Sequence, residues 1–358
     1  LLRPLEALLG ATRAEMSFVF GLATVTLTVG MNVAPRLYGR FPPMALALAC
    51  GVLSAAGLAL AAAATSFAAF AIGYGVLFGP GAGVLFILAQ QSVNQTVTTA
   101  RGLANGYVVS LYPLGAMLGA PLLAGAVQAW GVRAALAGLG VTVLAACACA
   151  AALLHVTAIR MVDTAAAGER ADEPLGPTFY RLGAVFFLAA AAGLTVLSQA
   201  AAIVQAYGGA AALAVGATTF ITGAVGAARI AGGGLVDRFG AARVGIGAHA
   251  FSLAGALALA ASPAPLVAAL ALGMIGIGYG IVSGRVAGAI AQYWHRNQFG
   301  RVASRLYIAW CGAAVSLPVL AGWLFDRTAS YGPAVWIAAG INVLGAFLAA
   351  GLPSRRPS

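Results

Sequence analysis

Lysine is absent from this chain, and all 19 basic residues are arginine. Only 8% of the residues are charged, against about 25% in soluble domains. That scarcity excludes a soluble globular protein. The formal charge of +11 would ordinarily suggest nucleic acid. Here the arginines fall between apolar segments, which points to membrane topology and not to a nucleic-acid partner. Cysteine is also scarce: Cys50, Cys147, Cys149 and Cys311 all lie within apolar stretches. Their spacing fits neither a disulfide framework nor a metal site, so they read as free thiols. The sequence has no Ser/His/Asp set, phosphate loop or paired carboxylates. An enzyme is therefore not expected, nor a metal or other cofactor. The opening LLRPLEALLG lacks the pattern of a cleavable signal peptide.

What fills the chain is apolar: 62% of its residues are hydrophobic. A membrane-spanning helix needs about 20 such residues. Eleven segments qualify, near 16–38, 44–65, 67–92, 103–129, 131–155, 179–205, 209–235, 242–262, 264–290, 302–325 and 331–352. The long break at 156–178 carries Asp163, Glu169, Asp172 and Glu173, half of the 8 acids. It reads as a solvent-exposed linker.

The chain also repeats itself. GYGVLFGPGAG at 73–83 matches GYGIVSGRVAG at 278–288, an offset of 205. GAMLGAPLLAG at 115–125 matches GAAVSLPVLAG at 312–322, an offset of 197. Pro35-Arg36 aligns with Asp237-Arg238, an offset of 202. Three collinear matches predict two similar halves: an N-terminal bundle over 1–158, a linker over 159–178 and a C-terminal bundle over 179–358. The offset leaves the segment 179–205 without a first-half partner, so a first helix is expected to be missing and the visible spans are numbered 2 to 12. The fold class is all-α, polytopic, with two pseudo-symmetric bundles.

Arginine placement orients the chain. Thirteen arginines, Arg36, Arg40, Arg101 and Arg238 among them, fall on one side. Four, Arg3, Arg13, Arg133 and Arg327, fall on the other. The linker and C-terminus are therefore expected in the cytoplasm, with the chain in a bacterial inner membrane.

Arg229 and Arg285 belong to neither side. Arg229 lies eight residues before Asp237 and Arg285 eleven before Arg296, which puts both near mid-membrane. A charge there costs several kcal/mol unless it meets a partner or a wet cavity. No acid lies in the middle of any span. An anionic substrate is the natural counter-ion, because guanidinium binds carboxylate in two-pronged fashion. Snorkelling or bonding to backbone carbonyls is the alternative.

Around these charges, Thr218, Thr222 and Arg229 share a helical face, as do Thr195, Ser198 and Gln199, and Ser17, Thr24 and Thr28. Such stripes can line a cavity or glue helices together. GGLVDRFG at 233–240 joins two spans: Gly233 permits close approach, Asp237 sits near helix ends where dipoles act, and Arg238 follows. A glycine series, Gly106, Gly115, Gly119, Pro121 and Gly125, permits tight packing. His155, His249 and His295 read as structural.

With these motifs in place, the chain resembles the major facilitator superfamily, and within it the oxalate/formate antiporter and monocarboxylate transporter group. GGLVDRFG is similar to the superfamily loop motif, and the glycine series with Pro121 to the antiporter motif. PTFYRLGAVFFLAAAAGLTVLSQ at 177–199 and QFGRVASRLYIAWCGAAVSLPVLAGWLFDRTASYG at 298–332 resemble family segments. The resemblance implies twelve helices, alternating access and a helix 8 arginine that binds the substrate carboxylate, the position of Arg229. Two departures stand out. Pro35 replaces the acid of the first-half loop beside Arg36, and Trp310 stands where oxalate carriers place a lysine. The expected activity is secondary transport of a small monocarboxylate. Arg229 would bind it, and Arg285 would assist or gate. Tyr107, Tyr307 and Trp310 would wall the site, with Gln199 and Thr222 on the cavity faces. Gly233, Asp237, Arg238 and Arg36 would form the gating loops. A drug or metabolite exporter of the same fold, or a membrane protein that transports nothing, are the competing expectations.

Overall fold

The computed structural model describes residues 2–159, 161, 175–262 and 264–354. Most of the expected linker, residues 160 and 162–174, lies outside the described residues.

The described residues are all helical or loop. In lipid, every backbone N–H and C=O must be satisfied internally, and a helix does this within one segment. The chain forms two compact units. The first comprises 1–96 and 118–173; the second comprises 97–117 and 174–358. The second unit thus takes in a short piece of the first half of the sequence.

In the first unit, α1 (Leu2–Leu9) leads into α2 (Arg13–Leu37), then α3 (Pro43–Ala63). Thr12 and Glu15 form a reciprocal cap at the start of α2, satisfying N–H groups that a helix start leaves open. Next come a short α4 (Phe67–Phe70), a π-wound stretch (Ala71–Phe78) and α5 (Gly79–Thr96), which together make one 30-residue span. Helix α6 runs over Arg101–Val156, and its first 17 residues belong to the second unit.

At 56 residues and 1.5 Å per residue, α6 would be roughly 84 Å long, far beyond a bilayer core of about 30 Å. Its helical geometry breaks at Gly131, with φ 80° and ψ 167°, a conformation that favours glycine. This is the boundary expected between the segments 103–129 and 131–155. Ten helices among the described residues are long and apolar enough to cross a membrane, with α6 counted once. The eleven expected segments and these ten helices therefore describe the same chain.

The second unit holds α7 (Gly176–Ala206), α8 (Ala211–Phe239), α9 (Ala241–Ala261), α10 (Pro265–Tyr293), α11 (Phe299–Thr328) and α12 (Gly332–Ala350). Helix α10 is its centre, with most of its residues buried. Close packing there depends on missing side chains. A Cβ at Gly284 would run into the backbone of Arg229, and one at Gly232 into the backbone of Ile281. This contact holds α8 against α10 and fixes where Arg229 emerges.

Candidate functional site

Arg229 sits in mid-α8 and is 5% exposed. Its guanidinium is held on two sides. Nη1 donates to the carbonyl of Val109 at 2.9 Å. Nη2 donates to the hydroxyl of Tyr279 at 3.1 Å, and the guanidinium carbon lies 5.5 Å from that ring's centroid. Nε is buried without a partner. Among the described residues, the hydrogen-bond partners of this cation are thus a carbonyl and a phenol, both neutral. A buried charge compensated only in this way costs free energy, and an anion would offset that cost.

Tyr279, from α10, is buried, and Trp310 Nε1 from α11 also donates to its hydroxyl, at 2.9 Å. Gly193 on α7 makes room for it, since a Cβ there would overlap the Tyr279 ring. Tyr307 meets Trp310 edge-on at 6.3 Å and Phe186 edge-on at 5.7 Å. Four helices and the first turns of α6 therefore converge on one arginine.

Helix α8 also carries a seam toward α6. Arg229, Gly233 and Asp237 are spaced by four and share one face. At the far end, the Asp237 carboxylate accepts from the N–H of Gly102 at 2.9 Å and of Leu103 at 3.0 Å. These are N–H groups that the start of α6 leaves open, and the helix dipole favours an anion there. Between the two polar ends, Gly233 packs on Gly102 and Gly106 so closely that a Cβ would collide with the Gly102 carbonyl.

The remaining expected residues are placed as follows. Tyr307 and Trp310 join the Arg229 cluster. Tyr107 on α6 is 55% exposed and, among the described residues, no side-chain hydrogen bond joins it to that cluster. Thr222 donates to the carbonyl of Thr218 on its own helix at 2.9 Å. Gln199 accepts from Tyr331 at 3.3 Å. Arg238 is exposed and lies over the ring of Phe239 at 5.2 Å. Arg36 is exposed in the last turn of α2.

Arg285 is fully buried but points elsewhere. Its Nη1 donates to the carbonyl of Ala241 at 2.6 Å, while Nε and Nη2 have no partner. Gly245 packs against its guanidinium. No hydrogen bond joins it to Arg229 among the described residues. Nearby, His249 Nδ1 and Asn342 Oδ1 lie 2.9 Å apart, a buried pair between α9 and α12. A mainly apolar pocket lined by Thr195, Leu317, Tyr331 and Ile341 among others contains none of Arg229, Tyr279 or Trp310.

Tyr279 was not singled out from sequence. It does lie in the repeated GYG frame, and a hydroxyl-bearing aromatic in mid-span is the signal that marks it.

The fold and the family model that matches it define an integral membrane transporter rather than an enzyme, with ten helices among the described residues long and apolar enough to cross a membrane. The chain belongs to the Major Facilitator Superfamily, whose family model matches residues 2–316. It is 27% identical over 113 residues to YhjX, an uncharacterized MFS-type transporter of Escherichia coli (strain K12). That match covers 32% of this chain and 28% of the relative, so the chain is matched to less than a third of that protein. Its fold is similar to that of FucP, a superfamily transporter in the outward conformation, with a TM-score of 0.75 and 15% identity, covering 99% of this chain and 93% of the other. It is also similar to the human organic anion transporter MFSD10, with a TM-score of 0.70 and 18% identity, covering 96% and 87%.

Proposed function

We propose that the chain is a secondary transporter of a small organic anion, preferentially a monocarboxylate, with Arg229 as its binding residue. One observation carries this reading: a guanidinium in mid-span whose hydrogen-bond partners among the described residues are a carbonyl and a phenol. A carboxylate supplies the missing charge and matches the guanidinium fork. The likeness to an organic anion transporter carries fold alone at 18% identity, so the anion is inferred from Arg229.

Binding competes with the Val109 carbonyl for Nη1. An anion at Arg229 therefore loosens one of the two polar ends of the α8–α6 seam. Release of Asp237 from Gly102 and Leu103 at the other end lets the two helices part. In this reading the Asp237 end faces the cytoplasm of a bacterial cell, where most arginines lie, and substrate binding is coupled to the gate through a single helix face. One cation in the cluster favours one carboxylate. The neutral indole of Trp310 adds no second charge for a dicarboxylate.

The test is uptake of labelled lactate, formate and oxalate into proteoliposomes, with the protein and its Arg229→Ala variant. Saturable uptake of a monocarboxylate, abolished in the variant while the protein stays folded, is the expected result. Uptake that survives the substitution moves the site elsewhere. A protein that takes up none of these acids is not a carrier of this class.

A further inference from the structure

We infer that Trp310 is a positioning residue for Arg229, acting through the hydroxyl of Tyr279. This rests on the reading of Arg229 as the anion-binding residue. The indole N–H of Trp310 is a donor only, and it donates to Tyr279 at 2.9 Å. The same oxygen accepts from Arg229 Nη2 at 3.1 Å. Both acceptor positions of the phenol are then filled. Its orientation is set from two sides, and its own proton is directed away from both donors. Removing the indole N–H frees the hydroxyl to rotate, and Arg229 loses a fixed acceptor although nothing that touches it has been changed.

The packing supports a relay more than a wall. A wall needs only the ring face of Trp310, whereas here its polar edge is in use. The Tyr279 ring is seated on Gly193, where no side chain fits, so the phenol cannot retreat toward α7. The edge-on contact of Tyr307 steadies Trp310. Arg229, Tyr279 and Trp310 come from α8, α10 and α11, so the guanidinium is aimed by the mutual placement of three helices. Such aiming pre-organises a binding group, and pre-organisation acts on affinity.

The experiment measures labelling of Arg229 by phenylglyoxal in the purified full chain, quantified by mass spectrometry of the peptide that contains it. Wild type, Tyr279→Phe, Trp310→Phe and the double variant are compared. Losing one hydrogen bond of ordinary net strength corresponds to about two- to tenfold, so each single variant is expected to label faster by that factor. The double variant labels no faster than Tyr279→Phe, because both changes cut one chain. Uptake by the single variants shows a KM raised by a similar factor, about two- to tenfold, with kcat nearly unchanged. Labelling of Trp310→Phe at the wild-type rate overturns the inference, as does a double variant whose effect is the product of the two singles. Should Trp310→Phe fail to fold, benzothienylalanine at the same position keeps the indole shape without the N–H, and the same two outcomes apply. Labelling needs no substrate. A relay that appears in labelling, in a protein that takes up no acid, therefore overturns the anion reading and leaves the relay standing.

Discussion

In GYGVLFGPGAG, Tyr74 is stacked between Phe70 and Phe78, at 5.9 and 5.3 Å. In GYGIVSGRVAG, its counterpart Tyr279 accepts hydrogen bonds from Arg229 and Trp310. The glycine frame around the two tyrosines does the same work in both halves. Gly75 packs on Leu22, and Gly280 on Val225 and Ala228; Gly79 meets Thr26 and Ala23, and Gly284 meets Arg229. Helix α2 thus lies on its glycines as α8 lies on those of α10. The difference is in what the frame presents. At the offset of the Pro35/Asp237 pair, Leu27 corresponds to Arg229, and within the glycine motif Pro80 corresponds to Arg285. The two frames match, and the second carries the two buried arginines. If Arg229 binds substrate as proposed, backbone packing and recognition are separable in this fold.

The substitution expected to act most strongly tests that separation. A Cβ at Gly284 would collide with the carbonyl, carbon and Cα of Arg229, and one at Gly79 with the Thr26 hydroxyl and the Ala23 carbonyl. Overpacking of this kind costs about 1–3 kcal/mol, so Gly284→Ala and Gly79→Ala should both lower the melting temperature in detergent. Only Gly284→Ala moves Arg229, the proposed binding residue. It is expected to abolish saturable uptake, while whatever Gly79→Ala protein survives purification keeps the wild-type KM. A KM shifted equally in both variants would mean that recognition is shared between the halves.

Next in size is the charge that the first half replaces by proline. Arg285 is fully buried, makes one hydrogen bond and leaves two nitrogens without partners. Exchanging a poorly compensated buried ion for an apolar side chain of similar length is neutral or stabilising, by about 1–4 kcal/mol. Arg285→Met is therefore expected to raise the melting temperature and leave KM within about twofold, because the Ala241 contact points the guanidinium away from the Arg229 cluster. A tenfold rise in KM, about 1.4 kcal/mol, would instead make Arg285 the second binding cation.

The sequence already carried the spanning helices, because lipid demands long apolar runs and the breaks between them hold Pro, Gly or Arg. It carried Arg229 for the same reason: a charge in such a run stands out. Trp310 and Tyr307 were also legible as neighbours of the site. The Tyr279 hydroxyl was not, since its partners lie 50 and 31 residues away in the chain and periodicity along one helix cannot report contacts between helices. Thr195, Thr218 and Thr222 share faces as expected, but each hydroxyl donates to a carbonyl four residues back in its own helix. A face seen in sequence does not reveal whether its hydroxyls are already satisfied. The π-wound turn at Ala71–Phe78 has no evident sequence signal, and its second-half counterpart is regular helix.

The smallest effect is expected at the loop, where the first half has Pro35 and the second has Asp237. The Asp237 carboxylate accepts from two N–H groups at the start of α6. Asp237→Asn keeps one acceptor oxygen but turns an amide N–H₂ toward the second N–H and removes the charge that the helix dipole favours. A charge at a helix start contributes about 0.3–1 kcal/mol, up to about 2 where partly buried. At about 1 kcal/mol, the equilibrium opening of the seam rises roughly fivefold. Hydrogen exchange at the Gly102 and Leu103 amides should quicken by that factor, although the two hydrogen-bond partners of Arg229 are untouched. Exchange that stays at the wild-type rate would mean that the glycine contact at Gly233 alone holds α8 to α6. The loop acid would then contribute nothing to closure, and the two halves would differ in recognition only.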